Sequence, residues 1–187
     1  MKLLPLESAD TIELVASWLA REENYQWLDF GNGQQIISPA VLKIMSQRAT
    51  HLLRVYTSDD DDTQPIGIVG LENINRKFGT ATLWGATGDK SFRTSGYAAY
   101  AASKFMSAAF SDLQLTVINT WVVDGNPSQR LVEKLGFRYG GRQRQAHVLG
   151  DERRDRLMYD LLAGEHREMR SRRPQRRHSA EGRKRRL

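Results

Sequence analysis

Between Arg93 and Ala98 the chain reads Arg-Thr-Ser-Gly-Tyr-Ala. Small residues there let backbone N–H groups converge just ahead of a helix N-terminus. That end carries about half a positive charge, which suits a phosphate or pyrophosphate. Arg93 adds a full charge and a planar fork of donors, while the plain alternative is a helix cap. With one Gly and no Gly-Lys-Ser/Thr, the loop is neither the dinucleotide fingerprint nor a P-loop. Some thirty residues on, Asn126-Pro127-Ser128 opens a short helix that closes at Gly136-Phe137. Ser128 and Val132 share one face of it, so Ser128 can present a hydroxyl beside an apolar neighbour. Glu72, just after Leu71 at a strand end, is the best carboxylate for a general base. Asp124 is the second choice, with helix capping as its competing role. The four His residues, at 51, 147, 166 and 178, lack metal-ligand spacing, so no metal site is expected. The absence of Cys excludes disulfides, thiolate metal sites and a Cys nucleophile.

The elements that must position these groups follow from periodicity and punctuation. Lys2–Leu6 reads as a short strand. Ser8 caps a helix with Asp10 and Glu13 near its positive end and Leu14, Val15, Trp18 and Leu19 on one face. A bend at Asp29–Gly33 leads to a helix from Ser38-Pro39 to about Gln47, with Pro at the first helical position. His51–Thr57 and Pro65–Leu71 form a strand pair around a loop holding four consecutive Asp residues, read as a solvated turn. Thr80–Thr87 is a third strand, followed by a polar loop, Gly88–Ser95. The helix of about Gly96–Leu113 shows a stripe of Ala98, Ala101, Ala102, Phe105 and Ala109, small enough for close packing on a sheet. Leu115–Val123, rich in β-branched residues, reads as a central strand. Pro127–Leu135 is a short helix with Gly136 as its C-cap. Phe137–Val148 and Arg153–Leu161 make a hairpin around Gly150-Asp151. The fold class is therefore α/β in the α+β sense, a mixed, mostly antiparallel sheet flanked by helices.

The 187 residues fit one domain with one core. Their net charge of +6 is unevenly placed. Residues 1–164 carry 18 Lys+Arg against 19 Asp+Glu, whereas residues 165–187 carry 10 against 3. The expected boundary is Gly164, with 165–187 a basic, disordered tail whose lack of apolar residues cannot offset its ordering entropy. No uncharged run is long enough to span a bilayer, and Met1–Asp10 lacks a secretory signal, so a cytoplasmic protein with no membrane partner is the expectation.

The loop at 93–98 and the segment 126–137, at this spacing, resemble the GNAT superfamily of acyl-CoA-dependent N-acyltransferases, and within it the RimJ/RimL-like branch. Arg93, Gly96 and Ala98 match that branch's Gln/Arg-x-x-Gly-x-Gly/Ala loop. Ser128 and Glu133–Phe137 match its Ser and Glu-Lys-Leu-Gly-Phe helix. The resemblance covers residues 1 to about 162. It implies acetyl-CoA as co-substrate, with the pyrophosphate on the backbone of 93–98 and pantetheine in a splay between strands 80–87 and 115–123. It assigns the cofactor set to Thr87, Gly88, Arg93, Thr94, Ser95, Gly96, Tyr97, Ala98 and Asn126, and acceptor contacts to Tyr25, Trp27 and Asp29. It further implies an oxyanion donor at a bulge in strand 80–87 and Ser128 as the hydroxyl donor to the leaving thiolate. It does not identify the base, for which Glu72 is the candidate read from the residues alone, with a solvated turn carboxylate as the alternative. Two departures stand out. Val132 replaces the Tyr that many members use as that donor, and Asn126 lies two residues before Ser128 where the usual spacing is three.

The activity implied is transfer of an acetyl group to a primary amine, either a protein N-terminus or a small molecule. Two readings compete. The basic tail can steer the enzyme to RNA, such as ribosomes or aminoacyl-tRNA, electrostatically and without aromatic stacking. Alternatively the chain is a non-catalytic acyl-CoA-binding module. Homodimers are common among similar proteins, although no exposed apolar stripe in this sequence argues for one.

Overall fold

A computed structural model describes residues 1–88 and 90–169. The basic run from Arg170 to Leu187, most of the expected tail, lies outside the described residues. The elements are β1 (Leu3–Pro5), α1 (Ala9–Leu19), α2 (Glu22–Tyr25), α3 (Pro39–Gln47), β2 (Leu52–Thr57), β3 (Pro65–Asn75), β4 (Thr80–Thr87), α4 (Tyr97–Asp112), β5 (Val117–Val123), α5 (Gln129–Lys134), β6 (Arg138–Leu149) and β7 (Glu152–Leu162). They form one seven-stranded sheet in the order β1-β2-β3-β4-β5-β7-β6, antiparallel everywhere except where β5 runs parallel to β4.

Local chemistry explains the element starts. Ser8 accepts from the Thr11 N–H at the head of α1, and Ser38 accepts from Val41 ahead of Pro39 in α3. Gly150, with φ 59°, turns the β6–β7 hairpin. Two features were not expected. Glu22–Tyr25 is a helical turn, and β3 continues four residues past Leu71. Asn73 absorbs that extension in a left-handed conformation (φ 53°), tolerated by its short polar side chain, as a bulge between Glu72 and Asn75.

The sheet buries both faces. On one, α4 and α5 bring Ala102, Phe105, Met106, Ala109, Val132 and Leu135 against Val69, Leu71, Leu83, Ile118, Val122 and Leu161. On the other, α1 and α3 pack Val15, Leu19, Leu42 and Met45 against Leu53, Val55 and Ile68. The buried Ala residues of α4 let its backbone approach the sheet closely.

The four-Asp loop is tied down by charge. The Met1 ammonium pairs with Asp59, and Lys2 reaches Asp62 at 2.6 Å. No group of His, Asp or Glu among the described residues is placed to hold a metal ion. No described helix is long and apolar enough to cross a membrane. Beyond Gly164 the chain keeps contact with the domain. Glu165 pairs with Arg138 at 2.7 Å, His166 meets the Ser107 hydroxyl at 2.8 Å, and the Met169 N–H donates to Ser103 Oγ at 2.8 Å.

Candidate active site

Strands β4 and β5 pair only at Thr80–Thr82 with Val117–Asn119, and then part. Polar side chains brace the fork: Thr120 Oγ1 donates to the Leu83 carbonyl at 2.9 Å and Asn119 Nδ2 to that of Ala81 at 3.5 Å. Those carbonyls show which way β4 faces. Backbone groups alternate in direction along a strand, and the even residues pair regularly with β3, so Gly85 and Thr87 turn their N–H and C=O groups into the fork. The register of β4 with β3 is unbroken from Gly67/Thr87 to Glu72/Thr82. The expected bulge in strand 80–87 is therefore absent. The unpaired edge at Gly85 supplies the free backbone N–H in its place, because β5 has already turned away.

A cavity of about 530 Å³ passes through this fork. On the α4 side it is lined by Arg93, Thr94, Gly96, Ala98, Ala99, Asn126, Ser128 and Val132. Gly96 caps α4 in a left-handed conformation (φ 88°), which an L side chain rarely adopts, and a Cβ there would meet only open space. The Tyr100 N–H makes the first bond of the helix, to the Gly96 carbonyl at 3.1 Å. The N–H groups of Ala98 and Ala99 precede that ladder, and both residues line the cavity. Arg93 lies beside them, paired with Glu23 of α2 at 3.2 Å. The arrangement suits a pyrophosphate: free N–H groups, a helix end and one guanidinium, with no side chain filling the approach.

Asn126 Oδ1 accepts from the Ser128 N–H at 2.8 Å, which fixes the start of α5. Gly125, at φ 88°, makes the preceding turn, so the shorter Asn–Ser spacing still leaves both residues on the cavity wall. The Ser128 hydroxyl makes no hydrogen bond among the described residues and caps nothing. Val132, buried, leaves no competing hydroxyl on that face.

On the α1 side the lining residues include Trp27, Asp29, Phe30, Glu72, Trp84 and Trp121. Glu72 sits level with Thr82, where the fork opens. Burial, reinforced by the charge of Asp29, pushes its carboxyl up to about 7. Asp29 is otherwise engaged. Its Oδ1 accepts from the Gly31 and Gly33 N–H groups at 2.9 and 3.0 Å, and its Oδ2 from Arg156 at 2.7 Å. Burial works against its charge, but the Arg156 and Gly31 hydrogen bonds hold it below the usual carboxylate range.

Several expected site residues do other work. Tyr25 does not line the cavity. Ser95 donates to the Phe92 carbonyl at 2.6 Å, and the Tyr97 hydroxyl accepts from the Asp59 N–H at 3.1 Å, so both brace the loop from behind. Thr87 lines the cavity and meets the Tyr56 hydroxyl at 3.2 Å. Gly88 is packed under the Trp18 indole, where a Cβ would fall 2.1 Å from a ring carbon. Its N–H donates to Ile66 at 2.8 Å and its carbonyl accepts from Arg21 at 2.8 Å. Gly88→Ala is expected to cost about 2–3 kcal/mol by overpacking, lowering Tm by about 4–12 °C, as calorimetry would read. Arg138, Arg142 and Arg144 lie on the exposed edge strand β6, away from the cavity. The sequence reading missed Trp84, Trp121, Thr120 and Glu23. Alternation along Thr80–Thr87 marked Trp84 as sharing a face with Thr82, but nothing local shows where the strands part.

Residues 1–138 match the family model described as an acetyltransferase (GNAT) domain. No curated protein matches the chain in sequence. Among solved structures, spermidine N-acetyltransferase from Vibrio cholerae, in complex with CoA and spermine, aligns with a TM-score of 0.76 at 17% identity, over 88% of this chain and 96% of that one. Mycobacterium smegmatis RimJ, in complex with CoA-disulfide, aligns at 0.72 and 18% identity, over 87% and 82%. RimL, a ribosomal L7/L12 alpha-N-protein acetyltransferase in complex with coenzyme A, aligns at 0.70 and 15% identity, over 86% and 92%. At such identities the likeness is one of fold.

Proposed function

The chain belongs to the GNAT acetyltransferase family, acyl-CoA-dependent enzymes with acetyl-CoA as co-substrate, and from that premise we propose that its forked cavity transfers the acetyl group to a primary amine by direct attack. The observation that carries this reading is the fork itself. One continuous cavity joins an anion-binding helix end on one face of the sheet to a near-neutral carboxyl on the other.

In this reading the pyrophosphate of acetyl-CoA rests on the Gly96, Ala98 and Ala99 N–H groups with Arg93 beside it. The pantetheine arm lies between β4 and β5, against the free backbone edge of Gly85 and Thr87. The acceptor enters from the side of Trp27 and Phe30. An amine attacks only when neutral, so Glu72, ionised above about pH 7, takes its proton. As the C–N bond forms, negative charge gathers on the carbonyl oxygen, and the Gly85 N–H is the donor turned towards it. The C–S bond then breaks as the new C–N nitrogen gives its remaining extra proton to solvent. The Ser128 hydroxyl donates a hydrogen bond to the departing thiolate, which takes its proton from solvent. Asn126, bonded to the Ser128 N–H, fixes the backbone turn from which that hydroxyl is presented.

The test is release of free thiol from acetyl-CoA in the presence of primary amines, read without protein background because the chain has no Cys. Amine-dependent release supports the reading. A folded protein that binds acetyl-CoA yet turns over no amine or peptide N-terminus returns the chain to a binding module. Ser128→Ala is expected to lower kcat about tenfold with KM for acetyl-CoA unchanged. That lies below the usual range for acid catalysis because a thiolate leaves with little help. Unaltered turnover would remove Ser128 from the mechanism.

A further inference from the structure

One segment closes the acceptor side of the fork, and it touches both branches. Phe30 sets its ring edge-on to Trp84 of β4, with centroids 5.2 Å apart. Asp29 receives Arg156 of β7 at 2.7 Å, and the Gln26 carbonyl accepts from His147 Nε2 of β6 at 2.7 Å. The other ring nitrogen of His147 then faces Arg156 Nη2 at 3.3 Å as an acceptor, so the imidazole is neutral. Burial and the neighbouring Arg156 favour that neutral form. The Arg156 guanidinium in turn lies over the Trp121 ring, 4.2 Å from its centroid. Arg156 is thus a strut that holds the wall segment across the fork.

Two properties of the acceptor space follow. Its walls are aromatic, with Trp27, Phe30, Trp84 and Trp121 all lining the cavity. Its charge is compensated. Of the three carboxylates on the cavity wall, Glu23 is paired with Arg93 and Asp29 with Arg156. Glu72 alone has no cationic partner among the described residues. A single ammonium group therefore finds one carboxylate, while a second or third positive charge finds no uncompensated carboxylate among the described residues of the wall and meets Arg156, which already covers the Trp121 face.

We propose that the acceptor is a monoamine whose nitrogen is borne by an apolar or aromatic body, seated between the link at 26–30 and Trp84 and Trp121, and not a polyamine. This rests on the acetyl-transfer reading of the same cavity. Arg156 is the positioning residue that makes the selection, by fixing the wall and cancelling the charge of Asp29.

The experiment is titration calorimetry of the full chain saturated with CoA, using 2-phenylethylamine, n-butylamine and spermidine. The expected order is 2-phenylethylamine, then n-butylamine, then spermidine, with at least tenfold between first and last. A phenyl ring buries more apolar surface against the wall than butylamine's terminal ethyl, and spermidine's further ammonium groups meet no uncompensated carboxylate among the described residues. Arg156→Gln, by freeing the charge of Asp29, is expected to narrow that gap several-fold, and Arg156→Lys to restore part of it. Spermidine binding as tightly as 2-phenylethylamine, or no binding of either, overturns the proposal. Thiol release is scored separately. Ordered binding without release would remove the reaction and leave the ligand class. Release with spermidine preferred would keep the reaction and remove the class.

Discussion

Replacing Glu72 with Gln is expected to lower kcat by about 10²–10³-fold and to remove the inflection of kcat/KM near neutral pH, leaving only the rise set by the amine's own ionisation, as a positioned base normally contributes on that scale. In the parent enzyme that inflection should centre near the value to which burial lifts the carboxyl, about 7. Below it the carboxyl holds its own proton and cannot take one from the amine. Stability should move the other way. Between the ordinary carboxylate range and about pH 7, the folded protein keeps a proton that the unfolded chain has lost, so stability falls as pH rises through that window. Gln carries no such penalty. At pH 8 the variant should melt at or above the parent while turning over far more slowly, with KM for acetyl-CoA unchanged. A slow variant that is also less stable, with its pH profile intact, would assign Glu72 to structure.

Arg93→Glu is expected to weaken acetyl-CoA binding by about 10²-fold or more, measured by calorimetry on the folded variant. Two effects add. A charge-assisted contact to a phosphate, normally worth about 1.5–3 kcal/mol, is lost. A carboxylate also takes its place at a helix end that favours anions. Because Arg93 pairs with Glu23, the new carboxylate faces another and the empty protein loses some stability. Affinity, read on the folded variant, separates that loss from the cofactor contact. Arg93→Gln should fall between the two, keeping donors without charge. Equal affinity in all three proteins would leave the pyrophosphate to the backbone alone.

Much of this arrangement is legible in sequence because its signals are local. Ser8, Ser38-Pro39 and Gly150 mark turns and caps through chemistry confined to four residues, and β4 occupies the expected Thr80–Thr87. The loop before α4 is legible for the same reason: an Arg and a Gly at a helix start are a local statement about anions. Glu72 was legible as a strand-end carboxylate, but its near-neutral state was not. That state depends on burial by segments distant in the chain and on Asp29, forty-three residues earlier. The acceptor wall is the least legible part. Asp29 and Arg156 are 127 positions apart, and Trp84 and Trp121 meet one cavity only because β4 and β5 diverge after Thr82 and Asn119. Periodicity states which residues share a face; it does not state where two strands separate. Ser95, Tyr97 and Gly88 show the converse. They sit in the right loop by sequence, yet they hold its shape from behind.

The most direct test of the account is a thermal melt of the full chain with and without acetyl-CoA at about 100 times its dissociation constant. Binding to the folded state alone should add about 2.7 kcal/mol, which for a domain of this size is a rise in Tm of about 5–10 °C. A rise of that size is the predicted result. A cooperative melt at an unchanged temperature would contradict it, and with it the assignment of the forked cavity to acetyl-CoA.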